Sequence, residues 1–148
     1  MNFTTEKIED NIEALSKLSK IHYKEVAPYD DIPLNVNWGI LINLCKSEVL
    51  KFYGLRHEGE LIGYCTFFIN YSIEYSSSLQ ASLSNIFIHP DHRGQGLKFI
   101  SWCDEQLNNL GVQVVYHHVK AKNDYGKLLK RLGYERMNIE YSKRLDKE

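Results

Sequence analysis

Apolar residues recur at Ile8, Ile12, Leu15, Leu18 and Ile21 behind the capping candidates Thr4 and Thr5, a spacing that predicts an amphipathic helix. Pro28 ends it, Ala27 to Asn35 reads as a loop, and Val36 to Cys45 predicts a second helix with Ile40, Leu41 and Leu44 turned inward. Two β-prone runs follow, Leu50 to Arg56 and Leu61 to Ile69, joined by His57-Glu58-Gly59-Glu60 in the manner of an antiparallel hairpin. Asn70 to Gln80 is polar and reads as a long loop or a ragged strand end.

From Ala81 the pattern changes to strand (Ala81 to Ile88), glycine-bearing loop (Pro90 to Gly96), helix (Leu97 to Leu110, stopped by Gly111) and strand (Val112 to Val119). Such a βαβ unit implies parallel strands with a right-handed crossover, which sets the helix N-terminus at the carboxyl end of the first strand. A further helix is predicted over Asn123 to Leu132, with Leu128, Leu129 and Leu132 on one side and Gly133 as its stop. Met137, Ile139, Tyr141 and Leu145 then alternate with polar residues, as in a half-buried strand. No internal repeat or low-complexity segment interrupts this plan.

The chain has 148 residues, the size of one domain with a real core. Its 18 basic and 19 acidic residues nearly cancel, so the field that drives non-specific nucleic-acid or membrane binding is missing and a basic site has to be local. Cys45, Cys65 and Cys103 form no C-x-x-C pair and are expected to be small buried hydrophobes rather than a disulfide framework. Met1 to Asn11 is polar and acidic, unlike a secretory leader, and no apolar run approaches membrane-spanning length. The expectation is a cytoplasmic, soluble protein.

The loop carries the most specific chemistry. Arg93-Gly94-Gln95-Gly96 at a strand-to-helix junction suits an anion: backbone N–H groups at a helix N-terminus are free, glycine admits a phosphate closely, and Arg93 adds a charge-assisted donor. No G-K-[ST] follows, and Phe99 stands where a dinucleotide fingerprint has its third glycine, so the ligand is another phosphorylated molecule.

The run Ile86-Phe87-Ile88-His89-Pro90-Asp91-His92-Arg93-Gly94-Gln95-Gly96-Leu97 resembles the GNAT (GCN5-related N-acetyltransferase) pattern of a hydrophobic strand followed by P-x-x-R-G-x-G. Leu132-Gly133-Tyr134 resembles the family's L-G-F/Y signature, and the wording of Gly63 to Gly96 is similar to GNAT domains of bacteriophages. The resemblance implies an α/β (α+β) GNAT fold in one domain: a central mixed, mostly antiparallel twisted sheet flanked by helices, with a βαβ cofactor-binding unit. It implies acetyl-CoA as co-substrate, no metal, and direct acetyl transfer to a primary amine of a small molecule or protein. By the same resemblance pantetheine lies between the splayed parallel strands along Phe87 and Ile88, and the phosphates lie on Arg93, Gly94, Gln95, Gly96, Leu97 and Lys98, with Lys122 and Asn123 adjoining. Lys120, Lys127, Lys130 and Arg131 extend the local basic cluster.

The chain departs from the pattern in three places. Counted from Pro90, the usual last glycine or alanine falls on Lys98; counted back from Gly111, it falls on Gly96, as in a shortened loop. Ser84 and Asn85 stand where many relatives carry a glutamate base, and Leu129 stands where a tyrosine protonates the leaving thiolate. Tyr125, four residues earlier, is the catalytic candidate because residues four apart share a helix face. His117 and His118 are adjacent on a strand, so they face opposite sides. His89 and His92 lack metal-ligand spacing. Glu25, Asp30 and Asp31 sit where an acceptor cleft is lined in such folds. Two functions follow: an acetyl-CoA-dependent N-acetyltransferase, or a catalytically silent module that binds CoA or a protein. A homodimer is compatible with either.

Overall fold

The computed structural model describes residues 1–147. Five strands, β1 (Asn2–Glu6), β2 (Leu50–His57), β3 (Glu60–Tyr71), β4 (Leu79–Ile88) and β5 (Val114–Tyr116), form one sheet in sequence order. All neighbours are antiparallel except β4 and β5, which run parallel. Helices α1 (Ile12–Val26) and α2 (Trp38–Lys46) lie on one face; α3 (Gly96–Asn109), which connects β4 to β5, lies on the other, and α4 (Gly126–Arg131) follows β5. No helix among the described residues is long and apolar enough to cross a membrane.

Alternation along the central strands builds two cores. Tyr53, Cys65 and Phe67 meet Phe99, Cys103 and Leu107 of α3, while Phe52, Tyr64 and Phe87 meet Leu15 and Leu18 of α1 and Leu41 and Leu44 of α2. The β2–β3 hairpin turns on Glu58 (φ 51°) and Gly59 (φ 80°), the paired left-handed conformation of a two-residue turn whose twist matches the strands. Cys65 and Cys103 are buried and Cys45 is half-buried, all unpaired.

The N-terminal reading requires correction. Thr4 and Thr5 cap no helix: they belong to β1, opposite Gly54 and Tyr53. Glu6 closes the strand by accepting from Arg56 Nε at 2.8 Å and Nη2 at 2.6 Å. Ile8 is buried in a short 3-10 turn, and α1 starts only at Ile12. Its inward stripe is Leu15, Leu18 and His22, the i, i+3, i+7 spacing of one helix face, which leaves Ile21 exposed. In α2, capped by Asn37 Oδ1 accepting from Ile40 N at 3.1 Å, Ile40 is 55% exposed rather than inward.

The C-terminal reading also fails. The segment 134–147 contains no strand among its described residues, and Met137, Ile139, Tyr141 and Leu145 are exposed. Alternation specifies a strand only where a sheet face receives the apolar side. The far end is tied instead to the α1–α2 loop, by Arg144 on Asp31 (2.8 and 3.1 Å) and Tyr29 Oη with Ser142 Oγ (2.6 Å).

Candidate active site

β4 and β5 are paired only from Gln80↔Val114 to Ser82↔Tyr116. Beyond that point the strands separate, although the sequence pattern suggests a strand through Val119. On its other side β4 stays paired to β3, with Ser84 as an extra residue between Thr66↔Asn85 and Phe67↔Leu83. Such a bulge bends a strand locally. The β4 edge toward β5 is therefore left with main-chain N–H and C=O groups that no strand takes up, groups that require a partner when buried.

The cleft so opened runs along Leu83 to Ile88 and is closed by His22 and Val26 of α1, Gly96 and Ile100 of α3, His118 and Lys120 after β5, and Asn123, Tyr125 and Leu128 around α4. Of the sequence candidates, Phe87, Ile88, Arg93, Gly96, Asn123 and Tyr125 line it; Gly94, Gln95, Leu97, Lys98 and Lys122 lie outside its lining. Pro90 to Gln95 forms a 3-10 turn leading into α3, whose first N–H groups have no intrahelical acceptors. Gly94 opens on free space: a Cβ there would meet no atom within 4 Å. Gly96 is different, since its Cβ would stand 3.3 Å from Leu128 Cδ1. Phe99 and Ile100 are buried and Lys98 is exposed.

Arg93 is held on the α1 side. Its Nη2 donates to both oxygens of Glu25 at 2.6 Å, its Nε to the Ile88 carbonyl at 3.0 Å, and its guanidinium lies 5.9 Å from the Phe87 ring centre. Lys122 Nζ donates to the Ala27 carbonyl at 2.7 Å, tying the chain after β5 to the end of α1. The predicted helix over Asn123 to Leu132 is in fact a 3-10 turn (Ala121–Asn123) followed by α4. Tyr125 consequently occupies the position before the helix rather than its interior, so the expectation that it shares a helix face with Leu129 does not hold. Leu129 is buried, and Tyr125 lines the cleft through the turn.

His117 stands behind Tyr125. Its Nδ1 is 3.0 Å from the Tyr125 hydroxyl, the rings of Phe67 and Tyr134 pack around it, and its buried Nε2 has no partner. Burial, with a smaller contribution from His118, lowers the His117 pKa to about 4. Burial also raises the Tyr125 hydroxyl, which remains protonated. On the α1 side His22 Nδ1 lies 2.9 Å from the Tyr64 hydroxyl; burial lowers His22 to about 4, Lys120 and Arg93 adding to the effect against Glu25. Sequence reading missed His22, yet it lies four residues after Leu18 on the buried stripe, so helical spacing holds the signal. No group of His, Cys, Asp and Glu among the described residues is placed to hold a metal ion.

Solved structures share this arrangement at low identity. A ribosomal-protein-alanine N-acetyltransferase from Brucella melitensis biovar Abortus 2308 superposes with TM-score 0.72 at 16% identity, covering 98% of this chain and 100% of that one. An aminoglycoside acetyltransferase from an uncultured soil metagenomic sample, in complex with sisomicin, gives 0.74 at 14% identity over 97% and 95%. A predicted acetyltransferase with acetyl-CoA from Clostridium acetobutylicum gives 0.70 at 12% over 97% and 96%. No curated protein sequence matches the chain. The model of the Acetyltransferase (GNAT) family, in contrast, matches residues 12–134, most of the chain and all of the cleft: the protein belongs to the GNAT acetyltransferase family.

Proposed function

We propose that the protein is an N-acetyltransferase that moves an acetyl group from acetyl-CoA directly to a primary amine. The observation that carries this reading is the opening of β4 from β5 beyond Ser82 and Tyr116, next to the N-terminus of α3. An extended amide-bearing arm fits such a free strand edge, and its phosphates fit the helix N-terminus, with Gly94 leaving room for close approach. Main-chain groups near Phe87 and Ile88 orient the arm and polarise the thioester carbonyl. Arg93 and Gly96 shape the phosphate end with Gln95, Leu97 and Lys98 flanking it, and Asn123 lines the cleft from the turn after β5 with Lys122 beside it outside the lining. Tyr125 supplies a proton to the departing thiolate. Because the thioester is already activated, holding the amine against it provides much of the rate.

Both a small-molecule and a protein amine are represented among the structural neighbours, an aminoglycoside acetyltransferase and a ribosomal-protein-alanine N-acetyltransferase. One observation favours a second reading: no carboxylate lines the cleft among the described residues, as in a module that binds CoA without turning it over. Thermal unfolding with and without millimolar acetyl-CoA tests the binding, since a ligand specific to the folded state raises the midpoint by mass action. No shift overturns both readings; a shift without release of CoA thiol to any of a panel of amines leaves the silent module.

A further inference from the structure

We infer that His118 is the proton acceptor of the transfer reaction, taking the proton of the attacking amine while Tyr125 protonates the thiolate. The inference rests on the acetyltransferase reading. Five ionisable side chains line the cleft among the described residues: His22, Arg93, His118, Lys120 and Tyr125. Arg93 and Lys120 are cations, which donate and do not accept. The His22 ring is turned onto Tyr64 and Phe87, and Tyr125 is bonded to His117. That leaves His118, an exposed imidazole on the cleft wall. The two adjacent histidines lie past the end of β5 and are used differently: His117 bonds Tyr125 and packs on Phe67, whereas His118 is exposed and lines the cleft. Histidine is the side chain best matched to proton exchange near neutral pH.

The step balances without a further reactant. The amine lone pair forms the C–N bond, the C–S pair leaves with sulfur, the amine proton passes to His118, and Tyr125 gives its proton to the thiolate. Solvent in the open cleft then restores Tyr125 and relieves His118.

The charged and titratable groups that share the cleft lining with His118 are Lys120 on its own segment, His22 on α1, Arg93 in the loop and Tyr125 before α4; Glu25 is bonded to Arg93 and His117 to Tyr125. Burial keeps His22 and His117 neutral down to about 4.

Two measurements on the full chain test the assignment. Diethyl pyrocarbonate labelling read by mass spectrometry should modify His118 in the free protein and be suppressed there by saturating CoA, while His57, outside the cleft lining, stays labelled. Release of CoA thiol from acetyl-CoA is then followed against pH, with water and with benzylamine, an aminoglycoside and a peptide bearing a free α-amine. His118→Gln should lower kcat by about a hundred- to ten-thousandfold and leave KM for acetyl-CoA and thermal stability unchanged. A His118→Gln protein with wild-type kcat overturns the inference, as does CoA-insensitive labelling of His118, or turnover with none of these nucleophiles in a chain that binds acetyl-CoA. Failure to bind acetyl-CoA at all overturns the acetyltransferase reading instead.

Discussion

Glu25 on α1 and Arg93 in the turn before α3, 68 residues apart in sequence, meet in an ion pair with Arg93 Nη2 at 2.6 Å from each carboxylate oxygen. Arg93 also holds the Ile88 carbonyl, so one side chain joins the end of α1 to the end of β4. The pair is partly exposed, with 43% of the Arg93 side chain and 26% of Glu25 accessible, and such pairs contribute less than about 1 kcal/mol. Glu25→Gln should therefore cost little stability. It also frees the guanidinium beside the phosphate end of the cleft, so acetyl-CoA affinity should rise about two- to tenfold at low salt. Calorimetric titration checks this; unchanged affinity would make Arg93 a strut rather than a phosphate donor.

The two loop glycines should separate in the same assay. Gly94 faces open space, so Gly94→Asp should keep stability within about 0.5 kcal/mol while placing a negative charge where the phosphates approach, lowering acetyl-CoA affinity at least about tenfold. A Cβ at Gly96 would stand 3.3 Å from Leu128 Cδ1, so Gly96→Asp would crowd α3 against that side chain, mixing a folding defect with any binding defect. Wild-type affinity in Gly94→Asp would move the phosphate site away from this loop.

Two buried histidines predict an acid-labile fold. His22 and His117 are lowered from an ordinary 6.5 to about 4 by burial, so between those values the unfolded chain binds protons that the folded chain refuses. Stability is then complete above about 6.5 and falls as pH drops toward 4, with a limiting slope of about 2.7 kcal/mol per pH unit for two such groups. Urea unfolding across this range measures it, and His22→Gln should roughly halve the slope. A flat profile would mean that neither ring is buried in solution.

Local patterns in the sequence were enough for the hairpin, α3 and the parallel pairing of β4 with β5, because each depends on a turn signal or a period that one segment carries by itself. β1 was not legible: Asn2 to Glu6 has no apolar alternation, and what holds it is pairing with β2 and the Glu6–Arg56 bond, a long-range contact. The same limit applies to the cleft. The glycine loop could be read from residue types, but the His22–Tyr64 contact and the Glu25–Arg93 pair join segments 42 and 68 residues apart, and the His117–Tyr125 bond, only eight residues apart, depends on the 3-10 turn that stands where a helix is expected.

The most demanding prediction concerns Tyr125. Its phenol lines the cleft while its oxygen is 3.0 Å from His117 Nδ1, and burial keeps the hydroxyl protonated, the state required of a proton donor. Tyr125→Phe removes that donor and little volume, so turnover of acetyl-CoA with a primary amine should fall about ten- to a thousandfold, with KM for acetyl-CoA nearly unchanged. The substitution also strips His117 of its one polar partner, since Nε2 already has none; an unsatisfied buried group costs about 1–3 kcal/mol, and the melting point should drop accordingly. These effects are separable. If Tyr125 only packs, Tyr125→Phe loses stability and keeps kcat at a temperature where it is folded. If it donates the proton, kcat falls there too.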